Sequence, residues 1–234
     1  MSASEDKKRA AAVAADLIET GMTVGLGTGS TAAHFIDLLG ARMKDGLDIV
    51  GVPTSEESAA AAMRAGVPLI EPDEGTVIDI DVDGADEVDG DLNLIKGGGG
   101  ALFREKIVAQ AARRFVVIAD ASKKVTALGA FPLPIEIDPT FWGVTMKAAR
   151  DVFAANGFDR VDMQLRPRRD REGVFLTDGG RYIVDCALGR IAEPCRLDRE
   201  LRAIAGVVET GLFIDLADEA ILCGPNGVER LTRA

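Results

Sequence analysis

MTVGLGTGSTAAHFIDLL, residues 22–39, decides how the rest of the chain is read. Its first six residues are apolar enough for a buried parallel strand, and Ser30 or Thr31 can cap a helix that carries Ala32 to Leu39. A strand that ends in glycine and runs straight into a helix opens a β-α unit. Downstream, DIVGVP (48–53) repeats the pattern, with Thr54 and Ser55 opening an alanine-rich helix before Gly66. VPLI, TVIDIDV and RFVVIAD follow as further strands, separated by turn or helix signals. Such alternation predicts an α/β fold, a parallel sheet with helices on both faces.

Past residue 130 the texture changes. FPLPIEIDP (131–139) holds three prolines and precedes a helix over roughly 140–155, a strand VDMQLRP, and a hairpin GVFLTDGGRYIVDCAL turned by Asp178-Gly179-Gly180. A helix CRLDRELRAI and a strand GVVETGLFID come next. This β-α-β-β-α order predicts a small α+β domain, residues 131–206, inserted into a large domain made of 1–130 and 207–234. There is no internal repeat and no low-complexity segment.

Composition limits the partners. Over 234 residues, 27 Lys and Arg against 38 Asp and Glu leave a net charge of −11, which argues against nucleic acid or an anionic membrane as the main partner. No apolar run approaches the roughly 18 residues of a membrane span, and the N-terminal stretch reads as a charged amphipathic helix, so a cytoplasmic protein is expected. Cys186, Cys195 and Cys223 are odd in number and show no CxxC spacing. They read as buried thiols, not as a disulfide framework or a zinc site.

GLGTGST is neither of the common glycine-rich loops. Gly25 and Gly27 are followed by Ser30 where a dinucleotide fingerprint needs its third glycine, and no lysine follows until Lys44, which removes the nucleotide-triphosphate loop. What remains is a helix N-terminus at which free N–H groups, the positive end of the dipole and three hydroxyls converge, an arrangement suited to one phosphate monoester. A tight strand-to-helix turn with ordinary hydroxyl caps is the alternative.

The second dense stretch is TVIDIDVDGADEVDGDLNLIKGGGGALFREK, residues 76–106. Asp79, Asp81 and Asp83 alternate with apolar residues and share one strand face. Asp79 to Gly84 matches the first half of a calcium loop, but its twelfth position is Gly90 instead of a glutamate, so calcium is rejected. Asp83 and Asp86 flank Gly84 where a parallel strand ends, the edge of an open sheet at which ligands bind. Lys96 then leads into four glycines, whose backbone N–H groups can approach an anion closely. A helix starting near Leu102 carries Glu105 in its first turn.

GLGTGSTA, DGADEVD, KGGGGALFREK, IADASK and FPLPIEI, in this order and spacing and with GVVETGLF near the C-terminus, resemble ribose-5-phosphate isomerase of type A over nearly the whole chain. The resemblance implies a Rossmann-like large domain with a small α+β insertion resembling a ferredoxin-like unit. It also implies a metal-free interconversion of ribose 5-phosphate and ribulose 5-phosphate in the pentose phosphate pathway, no cofactor, and a homodimer or larger homo-oligomer. Glu105 falls on the family's catalytic base. Its substrate-binding segments fall on Thr28, Gly29, Ser30 and Thr31, on Asp83, Gly84, Ala85 and Asp86, on Lys96, Gly97, Gly98 and Gly99, and on Lys123.

The chemistry suits these residue types. One carboxylate can move a proton between adjacent carbons through an enediolate, and Lys96 with its glycine run can stabilise the developing oxyanion. Asp83 and Asp86 can bind hydroxyls, and Asp83 is a candidate to open the furanose ring or shuttle protons between O1 and O2. The phosphate is expected at 28–31, with help from Lys123 and from Lys7 of the first helix. His34 is read as structural. Arg181 stands where the family often has Asn, and RPRRDREG (166–173) is unusually basic. A sugar-phosphate-sensing regulator domain and a coenzyme A transferase with a glutamate nucleophile are the two alternatives. Residues 1–20 are too short for a DNA-binding helix-turn-helix, which weighs against the first.

Overall fold

A computed structural model describes residues 2–168 and 170–233; Met1, Ala234 and Arg169 of the basic stretch lie outside the described residues. The first half runs α1 (Ala3–Ala15), β1 (Thr23–Leu26), α2 (Ser30–Lys44), β2 (Val50–Pro53), α3 (Glu56–Ala65), β3 (Ile80–Asp83), β4 (Glu87–Val88), β5 (Leu94–Ile95), α4 (Leu102–Ala111) and β6 (Phe115–Asp120). The second half runs β7 (Leu133–Ile137), α5 (Trp142–Ala155), β8 (Asp162–Leu165), β9 (Tyr182–Ala187), α6 (Pro194–Arg202), β10 (Val207–Thr210), β11 (Leu212–Phe213), β12 (Glu219–Gly224) and β13 (Gly227–Thr232). No helix is long and apolar enough to cross a membrane.

The main sheet has the order β13-β12-β6-β3-β1-β2, parallel except for the edge strand β13. Its central strands β3, β6 and β12 are buried along their whole length, as parallel strands covered on both faces must be. On one face Ala10, Ala11 and Ala14 of α1 and Phe35, Ile36 and Leu39 of α2 pack with Leu26, Val82, Val116 and Ile118. The opposite face is closed by α4, whose Val108 meets Val52 and Ile78, and by a cluster containing Phe115, Val117, Leu222 and Phe213.

Local capping follows the sequence at α3 but not at α2. Ser55 and Ser58 form a reciprocal cap at the start of α3, and Gly66 ends that helix in the left-handed region at φ 81°. Gly29, not Ser30 or Thr31, occupies the cap position of α2, at φ 100° and with no side-chain cap. Ser30 and Thr31 therefore spend no hydroxyl on capping α2.

The inserted region forms a second sheet of order β10-β7-β9-β8, antiparallel throughout, with α5 and α6 packed on it through Phe153, Ala149, Leu197 and Leu201. The succession β-α-β-β-α-β with this order is the ferredoxin-like arrangement. Four details depart from the sequence reading. Cys195, on α6, is exposed, whereas Cys186 and Cys223 are buried. GVFL does not ladder with β9: Phe175 N–H donates to Arg166 O and Arg168 N–H to Gly173 O, so this segment pairs beyond the end of β8, although the turn at 178–180 does close between Thr177 and Arg181. VPLI makes only one bridge, Leu69 to Gly51. GVVETGLFID is two strands in two sheets, because Gly211 donates to Pro134 O and accepts from Lys96 N–H, diverting the chain between β10 and β11. The small sheet therefore extends to Thr210.

Candidate active site

The carboxyl ends of β1, β3 and β6 open on a cavity of about 320 Å³. Its lining includes Thr28, Gly29, Ser30 and Thr31 from the β1–α2 turn, Gly84, Ala85 and Asp86 after β3, Lys96 to Gly99 after β5, Glu105 from α4, and Lys123 from the turn after β6. Asp83 lies fully buried below it. The residues that the sequence assigned to substrate and catalysis meet in this one place. His34 does not line the cavity.

Lys96 is the centre of the cavity floor. It is 2% exposed, and its Nζ donates to Gly84 O at 2.5 Å while lying 3.0 Å from Asp83 Oδ2 and 3.4 Å from Glu105 Oε2. The directed bond goes to the carbonyl, so the two carboxylate oxygens are held to the ammonium by charge. Burial works to discharge Lys96, but Asp83 and then Glu105 outweigh it and keep the ammonium above its ordinary range. Phe213 closes the far side, its ring centroid 5.5 Å from Lys96 Nζ and 4.8 Å from Lys106 Nζ.

Glu105 shows the opposite balance. Burial raises its carboxyl first, the Lys96 charge pulls it down, and Asp83 and Asp86 push it up again; the outcome is about 8. A carboxylate poised near neutrality can both take and return a proton. Its helix is pinned by the next residue, since Lys106 Nζ donates at 2.8 Å to Glu209 Oε1, Thr210 O and Leu212 O.

The two aspartates are fixed by backbone donors. Asp83 Oδ1 accepts from Thr28 N–H at 2.9 Å and Gly84 N–H at 2.6 Å, and Asp86 Oδ2 accepts from Gly98 N–H at 2.7 Å. Both approaches require glycine opposite: a Cβ on Gly27 would overlap Asp83, and one on Gly98 would lie 2.6 Å from Asp86 Oδ1. Arg166 reaches from the small sheet to donate to Gly97 O at 2.8 Å, forking its other nitrogens onto Asp185.

The mouth of the cavity carries the phosphate-type features. Lys7 Nζ donates to Ser30 Oγ at 3.0 Å across the N-terminus of α2. Thr28 Oγ1 is tied to Thr54 Oγ1 at 2.8 Å and Ser55 Oγ at 2.7 Å, and Thr54 in turn donates to Leu26 O. Thr54 and Ser55 were legible in the sequence only as helix-opening residues; their bracing of the loop depends on β1 and β2 being neighbours. Among the described residues no cluster of His, Cys, Asp and Glu is suited to hold a metal ion.

With this geometry in place, comparison with known proteins decides the family. Residues 50–227 match the family model for ribose 5-phosphate isomerase A (phosphoriboisomerase A). The chain belongs to that family. It is 52% identical to ribose-5-phosphate isomerase A of Rhodopseudomonas palustris (strain TIE-1), with all of both chains covered, and 49% identical to that of Maricaulis maris (strain MCS10), with 99% of both covered. Among solved structures, a D-ribose-5-phosphate isomerase in complex with phospho-erythronic acid superposes with a TM-score of 0.92 at 42% identity over 100% of both chains. The enzyme from Methanocaldococcus jannaschii does so with a TM-score of 0.92 at 38% identity over 99% of this chain and 100% of its own. Membership in the ribose-5-phosphate isomerase A family sets aside the regulator and transferase readings of the same loop.

Proposed function

We propose that this chain interconverts D-ribose 5-phosphate and D-ribulose 5-phosphate through an enediolate, with Glu105 as the base that moves a proton between C2 and C1. The observation that carries the proposal is the Lys96 ammonium set between Glu105 and Asp83 on the floor of a cavity whose mouth is a free helix N-terminus. Lys96 and the N–H groups of Gly97 and Gly99, the Gly98 N–H being held by Asp86, stabilise the oxygen that gains charge as the proton leaves carbon. Asp83, fixed on its strand, opens the furanose ring or passes the hydroxyl proton between O1 and O2, while Asp86 binds hydroxyls. Thr28 to Thr31, Lys7 and Lys123 hold the 5-phosphate, and this remote binding orients the reacting carbons.

The large domain in this proposal comprises residues up to 130 and from 211 onward, and the small domain spans 131–210. We place the enzyme in the cytoplasm as a homodimer or larger homo-oligomer with no nucleic-acid partner. Exposed Phe141, Trp142 and Val144 at the start of α5 and the net charge of −11 support the last two points. Sedimentation velocity reads the oligomeric state directly.

The test is ribulose 5-phosphate formation from ribose 5-phosphate in excess EDTA. Native protein should turn over, Glu105→Gln should lose roughly 10²–10⁴-fold in kcat, and Lys96→Ala should also fail. Activity surviving in Glu105→Gln would move the base elsewhere, and no turnover by native protein would overturn the proposal.

A further inference from the structure

Asp81 is an ionisable group beside the site to which the isomerase mechanism gives no task. It lies on β3 two residues before Asp83, so both carboxyls leave the same face of the strand, and it is 0% exposed. Neither of its oxygens has a hydrogen-bond donor. The residue opposite on β1 is Gly25, where a Cβ would overlap Asp81 Oδ1 and lie 2.8 Å from Val108 Cγ1. The carboxyl therefore fills a slot between β1 and α4, the helix that carries Glu105.

The charged groups that face Asp81 are Asp83 from its own strand, Lys96 from the segment after β5, and Glu105 from α4. β1 presents Gly25 and β6 presents Phe115 in register, neither of which titrates. Lys96 directs its contacts to Gly84 O, Asp83 and Glu105 and gives Asp81 none. A carboxylate without donors in a dry interior is costly, and such a group keeps its proton instead. Burial first, and the Asp83 charge second, hold the Asp81 carboxyl well above the usual carboxylate range.

We propose that Asp81 is a positioning residue for the isomerisation: it is the neutral acid during turnover, and its ionisation sets the alkaline limit of activity by placing an unpaired negative charge beside Glu105. With the proton in place, ionised Asp83 and Glu105 and the Lys96 ammonium together carry one net negative charge. Loss of the proton makes it two, just where the substrate must develop an enediolate and near where its phosphate binds. The added charge opposes both, and it strengthens the hold of Glu105 on its proton.

This inference rests on Glu105 being the base, and the experiment separates the two. kcat/KM is measured from mildly acidic to strongly alkaline pH for native enzyme, Asp81→Asn and Asp81→Ala. Native activity should fall about tenfold per pH unit beyond its alkaline break, and both variants should carry their plateau at least about one unit further, whatever its height. An unmoved break in both variants overturns the proposal. Should neither variant fold, infrared titration of native enzyme carrying ¹³C-labelled aspartate decides. A neutral aspartic-acid band that disappears in step with activity supports the proposal, and its absence at neutral pH overturns it. If Glu105→Gln retains native activity, the base assignment fails, while the dependence of the alkaline break on Asp81 is still read from the other variants.

Discussion

The Lys96 ammonium lies 3.4 Å from Glu105 Oε2, both groups almost fully buried, yet the Glu105 carboxyl still sits at about 8. Desolvation thus outweighs an adjacent positive charge. As the proposed base, Glu105 must be ionised to act, so kcat/KM should rise with pH and level off near pH 8, before any alkaline decline. A pH–rate profile with ribose 5-phosphate checks this. A rise that levels off near the ordinary glutamate value would show that the free enzyme keeps Glu105 ionised and that burial does not control it.

The same carboxyl shapes stability. Its folded value is raised above the unfolded one, so the native state holds a proton that the unfolded chain releases. The stabilisation this brings is complete below the unfolded value of 4.5 and is lost as pH rises through about 8. Within that window Glu105 should lower unfolding free energy by up to about 1.4 kcal/mol per pH unit. Glu105→Gln should remove that contribution, so urea unfolding at several pH values should show the variant gaining on native protein as pH rises. Parallel curves for the two proteins would contradict the assignment.

The phosphate end should respond differently. Lys7 and Lys123 line the mouth of the cavity and touch neither Glu105 nor Lys96. Lys7→Ala and Lys123→Ala should raise KM roughly tenfold each, the scale of one charge-assisted hydrogen bond, and leave kcat less affected. Inorganic phosphate carries only the group these lysines are proposed to hold, and its affinity should fall in both variants. Calorimetric titration reads this loss; unchanged affinity in both would place the phosphate elsewhere.

The site was legible in the sequence because its chemistry is carried by short segments at strand ends. Thr28 to Thr31 and Asp83 to Asp86 lie at the ends of β1 and β3, which a parallel sheet brings to one edge whatever the intervening helices are, while Lys96 to Gly99 follow β5 of a separate antiparallel sheet. Residues whose roles depend on register were not legible. Ser55 braces Thr28 only because β2 lies beside β1, and Asp81 looks like one more acid on an acidic strand face until its burial opposite Gly25 is seen. GVFL is an apolar run as a strand could be, but the Phe175 ring packs at 2.5 Å from where a Gly100 Cβ would stand, and this segment pairs with Arg166 and Arg168 instead of β9. Likewise the break of GVVETGLF at Gly211 is imposed by Pro134 and Lys96, both distant in sequence.

That long-range imposition gives the small sheet a part in catalysis. Arg166 sits just past β8, and its fork on Asp185 aims the remaining nitrogen at Gly97 O, 2.8 Å away, so the glycine run beside Lys96 is held from outside the main sheet. Gly97, at φ 105°, has no side chain of its own to fix that conformation. Arg166→Ala should therefore lower kcat by about 10-fold to 100-fold, the scale of misplacing a reacting group by about 1 Å. Arg166→Lys should fail to restore it, because a single ammonium cannot span Asp185 and Gly97 as the planar fork does. Single-turnover kinetics alongside thermal unfolding would distinguish this from a folding defect. A variant with lowered stability but native kcat would mean that Arg166 serves the fold alone and that the glycine run needs no outside support.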